Sequence, residues 1–147
     1  MFSKILVPLD GSDHAQRAAH VAIDLAGKYG SHVIFLTVTR KFKMSDQVRR
    51  FMTAENLMGE PQYLIDEMSK AILSEVREYA RQREFKNFDA IVREGQPART
   101  IADFAKNHSV DLIVMGRRGL GDLEGMLLGS VSHKVASLAD CIVTLVK

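Results

Sequence analysis

The chain has 147 residues, 46% hydrophobic and 26% charged, the balance of one folded globular domain with a sizeable core. Twenty Lys and Arg against 18 Asp and Glu leave a formal net charge of +2, which argues against a dedicated nucleic-acid or membrane binder. The single cysteine, Cys141, excludes an intramolecular disulfide framework and a thiolate metal cluster.

In chain order, Ile5 to Leu9 reads as a short buried strand that runs into the turn Asp10-Gly11-Ser12. Ser12 or Asp13 can cap the helix that follows. Its inward face carries Ala15, Ala18, Ala19, Ala22, Leu25, Ala26 and Tyr29, and Gly30 is a suitable stop. His32 to Val38 is the second strand. The stretch from Arg40 to Gly59 is irregular, basic at its start (Arg40, Lys41, Lys43) and again at Arg49 and Arg50, with room for a short helix. It reads as a solvated loop rather than an RNA contact, because no aromatic-bearing RNA motif accompanies Phe42 and Phe51. Pro61 sits near the start of a long helix with Leu64, Ile65, Met68, Ile72, Val76 and Tyr79 inward.

Phe88 to Val92 is the third strand, and Glu94-Gly95-Gln96-Pro97 turns the chain. A helix from Ala98 to His108 is buried through Ile101, Phe104 and Ala105, and Leu112 to Met115 is the fourth strand. Ser130 to Ala139 is the last helix. Cys141 to Val146 is the last strand, with Cys141 as a small apolar residue on it. No apolar run reaches transmembrane length and no cleavable leader is visible, so a cytoplasmic location is expected.

Strands and helices alternate, and the strands are nearly continuous apolar runs. That predicts an α/β fold: one doubly wound, five-stranded parallel sheet with helices on both faces, in a single domain over 1–147. The order 3-2-1-4-5 is suggested. It places the reversal of topology between strands 1 and 4, where ligands bind beside the carboxyl ends of strands.

Two loops would meet there: Asp10-Gly11-Ser12 and a glycine-bearing segment after strand 4. The latter reads Gly116-Arg117-Arg118-Gly119, then nine residues, then Gly129-Ser130-Val131 at a helix start. Glycines let backbone N–H groups approach an anion, and a helix N-terminus adds unpaired donors and a positive dipole. Ser130 can act as an N-cap and also offer its hydroxyl to phosphate. A Walker loop is excluded, because Gly-Lys-Ser/Thr is absent. Gly119-Leu120-Gly121 followed by Gly125 lacks the dinucleotide spacing and follows the wrong strand. Asp10 has two readings: a carboxylate that binds ribose hydroxyls or holds a metal beside phosphates, or a turn aspartate that caps its own backbone. The five histidines show no metal-site spacing. His133 lies in the first turn of the last helix, within range of a phosphate.

These segments, Ile5 to Ser12, Val114 to Gly119, and Gly129 to Val135, resemble the nucleotide-binding signature of the universal stress proteins over essentially the whole chain. The resemblance implies the ATP-binding subclass. By position, Pro8, Leu9 and Asp10 line the ribose and adenine side, and Val38 offers backbone groups to adenine. Met115 and Gly116 flank the ribose, while Gly119, Gly129, Ser130, Val131 and Ser132 surround the phosphates. Arg117 and Arg118 are each placed either to pair with phosphate or to stand solvated in the loop, and Arg118 is counted with the site.

The ladder interior carries Asp122 and Glu124, where the family commonly has neutral or basic residues. Carboxylates there repel a triphosphate unless Mg²⁺ or Mn²⁺ intervenes, with Asp10 beside a nucleotide-bound Mg²⁺. The family typically dimerises through the last strand, here apolar at Ile142, Val143, Leu145 and Val146, so a homodimer and a protein partner of a stress-response regulator are expected. The competing readings are a slow ATPase or adenylyl- or phosphoryl-transfer enzyme, and a partner-binding scaffold with a vestigial site. Asp10-Gly11-Ser12-Asp13 does not match the Ser-Gly-Gly-x-Asp-Ser loop of related adenylating enzymes. No catalytic constellation can be assembled from the sequence.

Overall fold

The computed structural model describes residues 1–41, 45–55, 61–123 and 127–147. Phe42, Lys43, Gly59, Glu124 and Gly125, which figure in the sequence reading, lie outside the described residues. The elements are β1 (Lys4–Pro8), α1 (Asp13–Tyr29), β2 (His32–Thr39), α2 (Asp46–Ala54), α3 (Pro61–Gln82), β3 (Phe88–Glu94), α4 (Pro97–Asn107), β4 (Leu112–Gly116), α5 (Ser130–Leu138) and β5 (Ile142–Val146). All strand pairs are parallel, as the alternating pattern predicts, and their order is the suggested β3-β2-β1-β4-β5.

Side chains alternate across a strand, so each apolar strand feeds two cores. Ile5, Val7, Val33, Phe35, Leu112 and Val114 pack with the alanine face of α1 and with Leu73, Val76 and Ala80 of α3. Leu6, Ile34, Leu36, Ile113 and Met115 pack on the other face with Ile101, Phe104 and Ala105 of α4 and Val135 of α5. Phe35 is fully buried, and its truncation to alanine would cost about 3–5 kcal/mol.

Ser12 caps α1, its hydroxyl oxygen accepting from Ala15 N at 3.2 Å. The small residues of α1 let its first turn lie against the end of β4. A Cβ on Gly116 would stand 2.8 Å from His14 Cβ and 2.9 Å from Ala15 N, closer than a real side chain tolerates. Glycine at the end of β4 is therefore what lets the first turn of α1 lie against it.

The structure corrects several sequence expectations. β3 continues to Glu94 because it pairs with β2 as far as Thr39. The short helix for which the basic stretch left room is present as α2, capped by Ser45, and that expectation stands. Along α3 the inward stripe is Ser69, Leu73, Val76 and Ala80, while Leu64 and Met68 are exposed. Serine holds a core position there because its hydroxyl donates to Ile65 O at 2.9 Å, which leaves no unpaired donor. Tyr29 is half exposed at the end of α1, and Ile23 takes the inward place. The last strand starts at Ile142; Cys141 precedes it, half-buried against the α4–α5 core, where burial pushes its thiol pKa up. No described helix is long and apolar enough to cross a membrane.

Candidate functional site

The β1–β4 ladder pairs only Ile5 with Leu112 and Leu6 with Ile113. Beyond that register the strands part, whereas β4 stays paired with β5 up to Gly116 and Val146. The gap becomes a cavity of about 310 Å³ at the carboxyl ends of the strands. Its floor and apolar wall are Pro8, Leu9, Leu36, Val38, Ile101 and Met115; Asp10, Gly116, Arg118, Gly119, Ser130, Val131 and Ser132 complete the polar side. Every sequence-predicted site residue except Gly129 lines this cavity. Gly129 is buried behind it.

The polar side is held by backbone bonds that converge on Arg117. Its N–H donates to Val146 O at 2.8 Å. Its carbonyl accepts from Gly129 N at 2.9 Å and from the Ser132 hydroxyl at 2.7 Å. Ser132 is thus buried, and its hydroxyl ties α5 to the end of β4, also reaching Gly129 O at 3.0 Å. The N-cap of α5 is Gly129, not Ser130, so Ser130 is the first helical residue and its side chain makes no capping bond. Gly129 takes the extended cap conformation (φ −70°, ψ 156°).

Two carboxylates occupy the loop donors. Asp10 Oδ1 accepts from Ser12 N at 2.9 Å, the turn-capping role, and Oδ2 accepts from Leu120 N at 3.2 Å across the switch point. Asp122 Oδ2 accepts from Gly119 N at 2.5 Å, and its Oδ1 lies 3.4 Å from Ser130 N. The two acids approach the same glycine: a Cβ on Gly119 would stand 2.6 Å from Asp10 Oδ2 and 3.6 Å from Asp122 Oδ2. The cradle is therefore a set of backbone donors at a loop and a helix start, turned toward negative oxygen.

Arg118 lines the cavity, and its Nε is buried with no hydrogen-bond partner among the described residues. Arg117 Nε is likewise unpartnered, but Arg117 does not line the cavity. His133 is exposed and outside the lining. No group of three or more His, Cys, Asp or Glu among the described residues can hold a metal ion.

Sequence reasoning missed Arg40, Pro97 and Ile101, which also line the cavity. Arg40 lies just past β2, and the α4 residues are its first residue, Pro97, and the core-facing Ile101. Neither place carries a motif. The acidic character of Asp122 was visible in sequence, but not its position among the donors.

A family model described as the universal stress protein family matches residues 1–147. The chain belongs to the universal stress protein family. Universal stress protein YxiE of Bacillus subtilis is 35% identical over 156 residues, covering 100% of both chains. Universal stress protein UspA from Lactobacillus plantarum is a structural neighbour with a TM-score of 0.73 and 27% identity, covering 99% of this chain and 98% of that one. Another family structure, a universal stress protein in complex with cAMP, has a TM-score of 0.73 and 26% identity, with 99% and 97% covered. It is a stress-response family, and in this chain the switch-point cavity and the glycine spacing occur together.

Proposed function

We propose that the switch-point cavity binds an adenine nucleotide, ATP in particular, and that occupancy of the site makes the protein a nucleotide-dependent regulator of the stress response. The observation that carries this reading is the convergence of Gly119 N, Leu120 N and Ser130 N on carboxylate oxygens beside an apolar cavity. Amides that donate to carboxylate suit phosphate, and the apolar wall suits a base. A structural neighbour solved with cAMP supports the adenine class.

In this reading Pro8, Leu9 and Val38 face the base, while Asp10, Met115 and Gly116 flank the ribose. Gly119, Ser130 and Val131 hold phosphate through backbone amides, with Arg118 supplying charge. Gly129 and Ser132 keep the start of α5 in place. Mg²⁺ or Mn²⁺ would enter with the phosphates, near Asp10, and screen their charge against the two acids. We further propose a cytoplasmic homodimer formed through β5. That strand is an edge of the sheet paired only with β4, and its Ile142 is half exposed. The protein partner of such a regulator would meet the loop after β4, which carries exposed Leu120, Leu123 and Leu127.

The test is mass spectrometry of nucleotide released when the purified protein is denatured, together with thermal unfolding in ATP and Mg²⁺. At a hundredfold excess over Kd, a ligand specific for the folded state adds about 2.7 kcal/mol and raises Tm by several degrees. Absence of released nucleotide together with an unchanged Tm contradicts the proposal.

A further inference from the structure

The donors of the cradle already hold an anion, and it belongs to the chain. The carboxylate of Asp122 lies between Gly119 and Gly129, the two glycines that leave the cradle open. One oxygen accepts from Gly119 N and the other faces Ser130 N, the first amide of α5. A Cβ on Gly129 would collide with Asp122 Oδ2 and come 3.0 Å from its carboxyl carbon. Asp122 thus fills the space that a side chain at Gly129 would take. No Lys or Arg forms a salt bridge with it among the described residues, so its partners are these backbone amides.

We infer that Asp122 is an internal competitor for phosphate, whose carboxylate must leave Gly119 N and Ser130 N before a phosphate can take those donors. The inference rests on the nucleotide reading of the site. Each backbone amide carries one hydrogen, so two anions cannot both receive it in full. A phosphate beside a retained carboxylate would also meet like charge in a partly enclosed site. The cost falls on the phosphate end of a ligand and leaves the base end untouched. Asp122 therefore sets how strongly the pocket separates a phosphorylated ligand from the bare nucleoside. It also supplies the ligand-free loop with an acceptor, so that its amides are not left unpaired when no ligand is present.

The experiment measures ATP and adenosine affinity by calorimetry for the native protein, Asp122→Asn and Asp122→Ala. EDTA is present so that no cation bridges acid and phosphate. The expected result is ATP binding about tenfold tighter in both variants, within the usual range of a coupling between two occupants. Adenosine affinity stays unchanged, and Tm without ligand is lower for Asp122→Ala. Unchanged or weaker ATP binding by folded variants whose adenosine affinity is intact overturns the inference and leaves the nucleotide reading standing. An equal gain for ATP and adenosine also overturns it, because Asp122 would then act on access to the whole pocket. No binding of either ligand by any of the three proteins, in EDTA and again with Mg²⁺ restored, overturns the nucleotide reading, and this inference with it.

Discussion

The two ends of the sheet use one device for opposite purposes. At the amino ends of the strands, Asp111 accepts from Ser3 N at 2.8 Å and Lys4 N at 2.9 Å, while its own N–H donates to Lys4 O at 3.1 Å. The amide donors of Lys4 and then Ser3 hold its carboxyl below the usual carboxylate range. At the carboxyl ends, Asp122 also accepts backbone amides, but those belong to a glycine loop and a helix start that open on a cavity. The donors to Asp111 are consecutive residues at the start of β1, and the bond closes β1 onto the turn before β4. The donors to Asp122 are separate pieces of chain, flanked by residues with no side chain. The same carboxylate–amide contact is a clasp where the backbone is fixed by its ladder, and a replaceable occupant where glycine leaves room.

The largest expected effect is on the replaceable end. Gly129→Val puts branched carbon where Asp122 Oδ2 now sits, with Arg117 O only 3.1 Å from the new Cβ. ATP affinity should fall by more than tenfold, which is more than about 1.4 kcal/mol, in a protein that still folds. A folded Gly129→Val protein with native affinity would break the comparison, because the cradle would then not lie between those glycines.

The next effect is on the clasp. Asp111→Asn keeps the shape but removes the charge from two amide bonds, and should lower stability by about 1 kcal/mol at pH 7 with ATP affinity unchanged. Because the folded carboxyl is held low, its contribution is present above the unfolded carboxylate pKa and is lost as pH falls through the folded value. Denaturant melts of native and variant proteins should therefore converge toward acid pH. A gap that widens on acidification would reverse the sign argued here.

Ser132→Ala sharpens the contrast from the side of the scaffold. It removes the hydroxyl that joins α5 to Arg117 O and should cost about 1 kcal/mol in a urea melt. ATP affinity should fall with it, unlike in Asp111→Asn, since the start of α5 is part of the cradle.

The smallest effect is on the surface. Glu78 has its carboxyl lowered to about 2 by hydrogen bonds from Arg81 and then Gln82, yet all three lie on the solvent side of α3. Glu78→Gln should leave the unfolding midpoint within error, because exposed pairs are screened and ordering them costs entropy. A loss as large as that of Asp111→Asn would show that burial is the wrong discriminator between these acids.

Much of this arrangement was legible in sequence, for stated reasons. Continuous apolar strands separated by helical spacing imply a covered parallel sheet, and the switch-point rule brings Asp10 and the Gly116–Gly129 segment together before any coordinates are known. The misses have physical causes. Serine at position 69 looks solvent-facing until its hydroxyl is seen bonded back to the preceding turn. Ile101 looks like an ordinary residue of a packed helix and Pro97 like part of a turn, and only the parting of β1 from β4 makes them a wall. Asp122 read as a repulsive charge near phosphate. Its contacts with Gly119 N and Ser130 N depend on how the loop folds back, which spacing does not reveal.

The central claim is that phosphate takes the donors at Gly119 and Ser130, with the Val131 amide beside them. A 16.4 kDa chain allows it to be followed amide by amide, by NMR titration of labelled protein with ATP. The account predicts saturable shifts centred on Gly119, Leu120, Ser130 and Val131, with the amides of Ser3 and Lys4 at the Asp111 clasp unmoved. Saturable shifts that spare the Gly119–Ser130 cradle, or a spectrum unchanged at millimolar ATP, would contradict it.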